Sequence, residues 1–151
     1  MSFTLRNAIE ADFPAVLELM KEFAVFQKTP NRVTNTVELM KEEKDSFNCL
    51  VVENEAGTIV AFCTFFNCYF SWSGKSMYID DLYVAESQRG KNIGSMLLNH
   101  IIDLAKAENC KKVRWQVSNW NRKAIDFYKS FGAEVGDVEI NCELKLSEVA
   151  Q

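Results

Sequence analysis

The hydrophobic positions of the chain recur with two periods, and the change from one period to the other outlines its elements. Alternating apolar and polar residues are typical of a half-buried strand, and apolar residues three or four positions apart are typical of a helix with one buried face. Glycines mark several of the boundaries between them. The predicted elements are strands over residues 3–8, 47–53, 58–70, 75–84, 112–117 and 135–146, and helices from Glu10 to near Pro30, from Thr34 (as N-cap) to about Lys44, from Met96 to about Glu108, and from Asn121 to Gly132.

The order of these elements predicts an α/β fold in a single domain that covers residues 1–151. The order is β-α-α-β-β-β-α-β-α-β. A helix separates the fourth strand from the fifth, and such a crossover requires these two strands to be parallel. A short turn joins the third strand to the fourth, which makes that pair antiparallel. We therefore expect a mixed central sheet of about six to seven strands with helices on both faces.

Composition and charge restrict the partners without identifying them. The chain is 48% apolar and 25% charged, as expected of one globular domain. A net charge of −4 argues against a nucleic-acid partner, and no apolar run approaches the roughly 18 residues that span a bilayer. One histidine and five cysteines without a Cys-x-x-Cys pair predict no metal site. Without a signal peptide, we expect reduced thiols and a cytoplasmic protein.

A basic, glycine-bearing turn, Arg89-Gly90-Lys91-Asn92-Ile93-Gly94-Ser95, lies between the fourth predicted strand and the next helix. The first amides of a helix lack intrahelical partners and carry partial positive charge, so they can hold a phosphate group. An ordinary solvated turn has the same spacing, and the residues alone leave both interpretations open. The run is neither a P-loop nor the Gly-x-Gly-x-x-Gly dinucleotide motif.

Two motifs in the same order resemble those of GNAT-type N-acetyltransferases. The first is Arg89-x-x-Asn92-x-Gly94, where the family usually has Gly in place of Asn92. The second runs from Asn121 to Phe127-Tyr128 before a glycine-containing turn. Within the family the chain is most similar to the diamine and thialysine acetyltransferases, through the segments 72–75, 78–84 and 120–121. Asn tolerates a left-handed backbone better than other non-glycine residues, so we expect the turn to keep its shape.

This resemblance implies acetyl-CoA as the donor, CoA as a product, and no metal. The pyrophosphate is expected on the amides of the basic turn and the pantetheine arm along the fourth strand. The residues assigned to the cofactor in this way are Leu82, Tyr83, Val84, Arg89, Gly90, Lys91, Asn92, Ile93, Gly94, Ser95, Asn121, Lys123, Ala124 and Tyr128.

The resemblance also implies direct attack of a neutral amine on the thioester. An alkylammonium has a pKa near 10.4, so a base must remove its proton. Asp80 is the expected base, although Asp80 and Asp81 could equally be a solvated or capping pair. Strand alternation would point the two to opposite faces. Tyr128 is the expected proton donor to the departing thiolate, whereas its periodicity alone also fits a core position.

The acceptor predicted by the resemblance is the primary amine of a small molecule, and the implied assembly is a homodimer. The residues assigned to the acceptor are Gln27, Trp72, Asp80, Trp115 and Gln116, although the aromatic members could instead be core. Polyamine-acetylating relatives carry acids where this chain has residues 27–32 and Phe70, which argues against spermidine or spermine. Acetylation of protein lysines or N-termini, and a non-catalytic acetyl-CoA sensor, are the alternatives.

Overall fold

The structure is a computed structural model that describes residues 2–146. These residues form two compact units that are divided between Gln116 and Val117, and each unit is described by itself. The first unit contains the whole sheet and three of the helices. A single domain over residues 1–151 stays a prediction.

The sheet of the first unit has five strands in the order β1-β2-β3-β4-β5. The first three pairings are antiparallel, and β4 pairs with β5 in parallel. The parallel pairing of β4 and β5, which the sequence predicted from the helix between them, is therefore confirmed. The strands are β1 (Thr4–Asn7), β2 (Asn48–Glu53), β3 (Ile59–Phe70), β4 (Gly74–Val84) and β5 (Val113–Arg114).

Four α-helices lie close to their predicted positions. The first unit holds α1 (Phe13–Phe26), α2 (Val37–Glu42) and α3 (Ile93–Ala107), and the second unit holds α4 (Arg122–Ser130). The first helix starts at Glu10, as predicted, but as a 3-10 turn (Glu10–Asp12) that leads into α1, and the predicted starts of the second and third helices were wrong.

The second helix is capped by Thr36 and not by Thr34, because the Thr36 hydroxyl accepts the Leu39 N–H at 3.1 Å. The third helix begins at Ile93, three residues before its predicted start at Met96.

Both faces of the sheet are buried, as the prediction of helices on each face requires. Val51 and Phe62, which pair across β2 and β3, belong to the cluster that α1 and Met40 of α2 cover. Their neighbours Leu50 and Cys63 are also buried but point to the opposite face. The apolar side of α3 packs there, since α3 contacts both β3 and β4. The ends of β4 and α3 are thereby fixed beside each other.

The predicted strand over residues 135–146 is absent, and β5 is shorter than the predicted strand over residues 112–117. Within residues 2–146, the last segment forms no ladder with another strand, and Val138 and Ile140 are 83% and 84% exposed. Alternation identifies a segment that suits a pleated surface, but a strand exists only where a second backbone pairs with it. Among residues 2–146, the sheet therefore has five strands and not six to seven.

The cysteines are free thiols, and burial separates them into two groups. Cys49 and Cys63 are buried in β2 and β3, as predicted, whereas Cys68, which was also expected in the core, is only partly buried. Burial raises the pKa of the Cys49 thiol to about 12 and that of Cys63 further. Over residues 2–146, no helix combines the length and apolar character needed to cross a bilayer.

Candidate active site

The turn between β4 and α3 has the backbone shape of an anion site. Gly90 has φ +81°, and Asn92 lies in the left-handed region with φ +62° and ψ +19°. A Cβ at Gly90 would meet no atom within 4 Å, so the conformation and not space requires glycine there. Asn92 keeps the left-handed shape, as predicted from its tolerance of that region.

The amides at the start of α3 follow this turn directly. The first helical hydrogen bond runs from the Met96 N–H to the Asn92 carbonyl at 3.0 Å, and the Asn92 side chain makes no cap. Ile93, Gly94 and Ser95 therefore contribute the N-terminal amides of a 15-residue helix. These amides carry the positive end of the helix dipole and suit a diphosphate.

Two cationic side chains flank these amides. The Arg89 Nε donates to the Val84 carbonyl at 3.2 Å, so its two terminal nitrogens are the donors that could contact a phosphate. The Lys91 Nζ donates to the Gln88 Oε1 at 2.9 Å across the turn. Both cations are exposed and lie within four residues of the start of α3.

The end of β4 presents an unpaired edge beside the turn. Within the part of the chain that the structure describes, β4 pairs with β5 only at Met77 and Tyr78. On the other side, the N–H groups of Asp81 and Ala85 donate toward β3, to the Thr64 hydroxyl and the Val60 carbonyl. Backbone groups alternate along a strand, so those of Leu82 and Val84 point to the open edge.

Of the three strand residues that were predicted to hold the cofactor, Leu82 and Val84 therefore offer backbone groups to an extended ligand. Tyr83 differs, because its N–H points toward β3. Its side chain is 4% exposed, and its hydroxyl donates to the Glu22 carboxylate of α1. Sequence reasoning missed Glu22, since 61 residues separate it from Tyr83.

A β-bulge places Asp80 and Asp81 at the point where β4 leaves β5. Thr64 pairs with Asp81 but Phe65 pairs with Ile79, so Asp80 is the extra residue of β4. The bulge interrupts the alternation on which the expectation of opposite faces for the two carboxyls rested, so that expectation stays a prediction. Asp81 lies on the α1 face through its pairing with Thr64, while Ile79 lies on the other face.

Burial raises the pKa values of these two carboxyls, and the charge of Asp80 raises that of Asp81 further. Desolvation is the larger cause for Asp81, the charge of Asp80 adds to it, and the pKa reaches about 7. Partial desolvation also raises the pKa of the more exposed Asp80. Asp81 therefore titrates near neutral pH, which suits a proton acceptor. The paired acids were visible in the sequence, but the burial of Asp81 was not.

The residues predicted for the acceptor lie in different parts of the first unit. Trp115 and Gln116 follow β5, whose Arg114 pairs with Tyr78, so their positions reach the level of Asp80. Gln27 caps the end of α1.

Trp72 is 100% exposed at the tip of the β3–β4 hairpin. Six residues of β4 separate Gly74 from Asp80, or about 20 Å. Within one chain, this exceeds the reach of a single small amine, so the structure does not bring Trp72 to Asp80.

The second unit carries the remaining predicted residues on α4. Asn121 is the N-cap, and its side-chain oxygen accepts the Ala124 N–H at 3.2 Å. This bond gives both residues a local structural role. Lys123 is exposed, and the Tyr128 ring is partly buried with its centroid 5.5 Å from that of Phe127. Tyr128 is thus not fully enclosed in a core, which its periodicity had left open.

A separate depression of about 380 Å³ does not coincide with these groups. It is lined by residues at the end of β1 and the start of α1, including Ile9 and Phe13, and Lys44 pairs with Glu10 there at 2.9 Å. The turn before α3 instead contacts the other end of α1, about 20 Å away along a 14-residue helix.

The described residues contain no group of three or more His, Cys, Asp or Glu side chains that could hold a metal ion. A metal-free reaction stays a prediction.

Residues 11–133 match the Acetyltransferase (GNAT) family. The chain belongs to this family. The resemblance drawn from the two motifs is thereby confirmed, as is the prediction of an acyltransferase enzyme. The family uses acetyl-CoA.

Relatives of this GNAT protein include enzymes named for small amines. It is 30% identical over 143 residues to thialysine N-epsilon-acetyltransferase of Sus scrofa, which covers 87% of this chain and 84% of that one. It is also 30% identical to the human spermidine/spermine N(1)-acetyltransferase-like protein 1, over 87% of this chain and 20% of that one. A solved structure of a mutant Bacillus halodurans protein shares the fold with a TM-score of 0.80, at 22% identity, covering 94% of this chain and 99% of that one.

We expect the Asn92→Gly variant to bind CoA as tightly as the wild type or more tightly. Glycine adopts φ +62° without strain, and the Asn92 side chain makes no cap that would be lost. Asn92→Ala is the matched control, because alanine at this φ costs about 1 kcal/mol of conformational energy. Calorimetric titration with CoA measures both variants. A marked loss of affinity in Asn92→Gly would show that the side chain itself contacts the ligand.

Proposed function

We propose that this protein transfers an acetyl group from acetyl-CoA to a primary amine of a small molecule. The observation that carries this proposal is the turn between β4 and α3. Its left-handed Gly90 and Asn92 present the uncapped first amides of α3 beside the open edge of β4. A diphosphate on the amides and an extended amide-bearing arm on the strand edge is the ligand shape that this arrangement favours.

Bound acetyl-CoA supplies the thioester that the amine attacks. The Asp80–Asp81 pair is proposed to hold the ammonium group and to accept its proton, with Asp80 in the role that the sequence predicted. The raised pKa of Asp81 supports a shared role, since two interacting carboxyls titrate as a pair. The Leu82 N–H, which points to the open edge, is proposed to donate to the oxygen where negative charge develops.

Tyr128 is proposed to donate a proton to the thiolate that leaves. Its support is the Asn121–Tyr128 motif and the incomplete burial of the ring. Asn121, Lys123 and Ala124 are proposed to contact the cofactor, with Asn121 also capping α4.

Thialysine and other compact amines are the acceptors that we propose. The relatives' names supply the substrate class, and the Asp80–Asp81 pair supplies negative charge for one ammonium group. Gln27, Trp115 and Gln116 are proposed to complete the acceptor site. Over residues 27–32 the chain has two cations and no acid, which disfavours a long polycation such as spermine.

Release of free thiol from acetyl-CoA, measured against a panel of amines, tests the proposed function. The panel contains thialysine, short diamines, spermidine, free amino acids and lysine-bearing peptides. We expect kcat/KM to be highest for thialysine or a short diamine. Turnover with peptides alone would favour a protein acetyltransferase, and calorimetric CoA binding without any acetyl transfer would favour a sensor.

We further propose a cytoplasmic homodimer. Five free thiols support a reducing compartment. The exposed, alternating apolar residues of the segment 135–146 have no strand partner among the described residues, and a second copy of the chain is the occupant that we propose. Light scattering after size exclusion should give twice the 17.3 kDa chain mass, and a mass of one chain would contradict the dimer.

A further inference from the structure

Glu22, on the C-terminal half of α1, accepts hydrogen bonds from two groups of the segment that leads into the basic turn over residues 89–95, called the phosphate turn below. The Tyr83 hydroxyl donates to the Glu22 Oε2 at 2.6 Å. The Glu86 N–H donates to the same oxygen at 3.3 Å. One carboxylate oxygen therefore joins α1 both to the end of β4 and to the first residue after it that enters the turn.

The Tyr83 ring in turn supports the cation that flanks the helix amides. Its centroid lies 4.8 Å from that of Phe23, in a stacked arrangement. The Arg89 guanidinium carbon lies 5.3 Å from the Tyr83 centroid and 4.8 Å from that of Phe26. Arg89 therefore rests on two rings, of which Phe26 belongs to α1 and Tyr83 is held by α1 through Glu22. A guanidinium over an aromatic face is stabilised by the ring and is also restricted in direction.

The sign of the Glu22 charge argues against a purely electrostatic role. A carboxylate near a diphosphate site repels the ligand, so on charge alone its removal would tighten binding. Its two hydrogen bonds instead fix the Glu86 N–H, which follows β4, and the Tyr83 ring beneath Arg89. A hydrogen bond to a charged acceptor contributes more than one between neutral groups, which makes this attachment strong enough to hold a turn.

We propose that Glu22 is a positioning residue for the phosphate turn, which acts on CoA affinity through Tyr83 and Arg89. The inference rests on the proposed function, because it takes the ligand of the turn to be the CoA diphosphate. In this proposal, the C-terminal end of α1 holds the Arg89 guanidinium in the orientation that contacts the diphosphate. Gln27, which is proposed for the acceptor, is the C-cap of this same helix.

Calorimetric titration with CoA tests the proposal with three variants and one control. Glu22→Ala and Tyr83→Phe should each raise the Kd for CoA about 5- to 30-fold, the equivalent of one strong hydrogen bond. Glu22→Gln keeps an acceptor oxygen and should recover most of the affinity. Glu18→Ala is the matched control, since Glu18 is an exposed acid of α1 whose carboxylate lies 3.6 Å from the Lys21 Nζ.

A double-mutant cycle separates positioning from loss of stability. In the Arg89→Ala background, Glu22→Ala should change the Kd less than two-fold, because the group on which it acts is gone. The same fold-loss in both backgrounds, or an unchanged or tighter Kd in Glu22→Ala alone, would overturn the proposal. The kcat of the Glu22→Ala single variant at saturating acetyl-CoA should stay within two-fold of the wild-type value. Failure of the wild type to bind CoA would instead refute the proposed function.

Discussion

The Tyr128→Phe variant should lose about 10- to 1000-fold in kcat while its affinity for CoA stays unchanged. The substitution removes one hydroxyl and keeps the ring, so packing against Phe127 is preserved. General acid catalysis accounts for a loss of this size, and an interaction made only in the transition state lowers kcat without weakening ground-state binding. Steady-state kinetics with the preferred amine and calorimetry with CoA measure the two effects.

Ser130→Ala is the matched control for this variant. It also removes a hydroxyl from α4, one that donates to the Phe127 carbonyl. Its kcat should remain within two-fold of the wild-type value. Unchanged turnover of Tyr128→Phe, with acetyl transfer shown to be rate-limiting, would exclude Tyr128 as the proton donor.

The Asp81→Asn variant should be more stable than the wild type above pH 7 and much less active. Folding raises the pKa of Asp81 from its ordinary 3.8 to about 7, so the folded chain holds this proton more tightly than the unfolded chain does. The free energy of unfolding contributed by this group therefore falls as the pH rises from about 4 to about 7. At pH 8 the ionised Asp81 carboxylate lowers the free energy of unfolding by at most about 4 kcal/mol. The uncharged amide of Asn does not have this cost.

Denaturant unfolding at pH 5 and at pH 8 measures this stability difference, which should be larger at pH 8. Loss of one carboxyl of the proposed proton-accepting pair should lower kcat/KM about 100-fold.

The Asp80→Asn variant separates the two carboxyls. Because the Asp80 charge raises the pKa of Asp81, its removal should move the acidic limb of the kcat/KM profile to lower pH. If Asp81→Asn keeps full kcat/KM, Asp81 does not share the proton with Asp80.

Some features of the site could be predicted from the sequence pattern and others could not. The left-handed turn at Gly90 and Asn92 is a local structure, so its shape could be predicted from the residue types. The bulge at Asp80 is different, because it depends on how β4 pairs with β3. Alternation assumes an unbroken ladder of strand pairs, and no residue type in this segment predicts a β-bulge. The assignment of Asp80 as the base therefore neglected Asp81, whose pKa depends on burial.

The last predicted strand failed for a related reason. Residues 135–146 have the alternation of a strand, yet its hydrogen bonds must come from another backbone. Trp72 illustrates the same limit, since its type suggests a binding residue while the length of β4 places it at a distant hairpin tip.

The sequence by itself determined the family, the parallel β4–β5 pair and the left-handed shape of the turn before α3, because each depends on residues close together in the chain or on element order. Only the tertiary structure decided that Glu22 holds Tyr83, that Asp81 titrates near neutral pH, and that Leu82 and Val84 face the open edge. Those facts depend on contacts between segments far apart in sequence, on burial and on strand register. The left-handed turn thus suits an anion by its local residues, while the placement of Arg89 beside it depends on a helix more than 60 residues earlier.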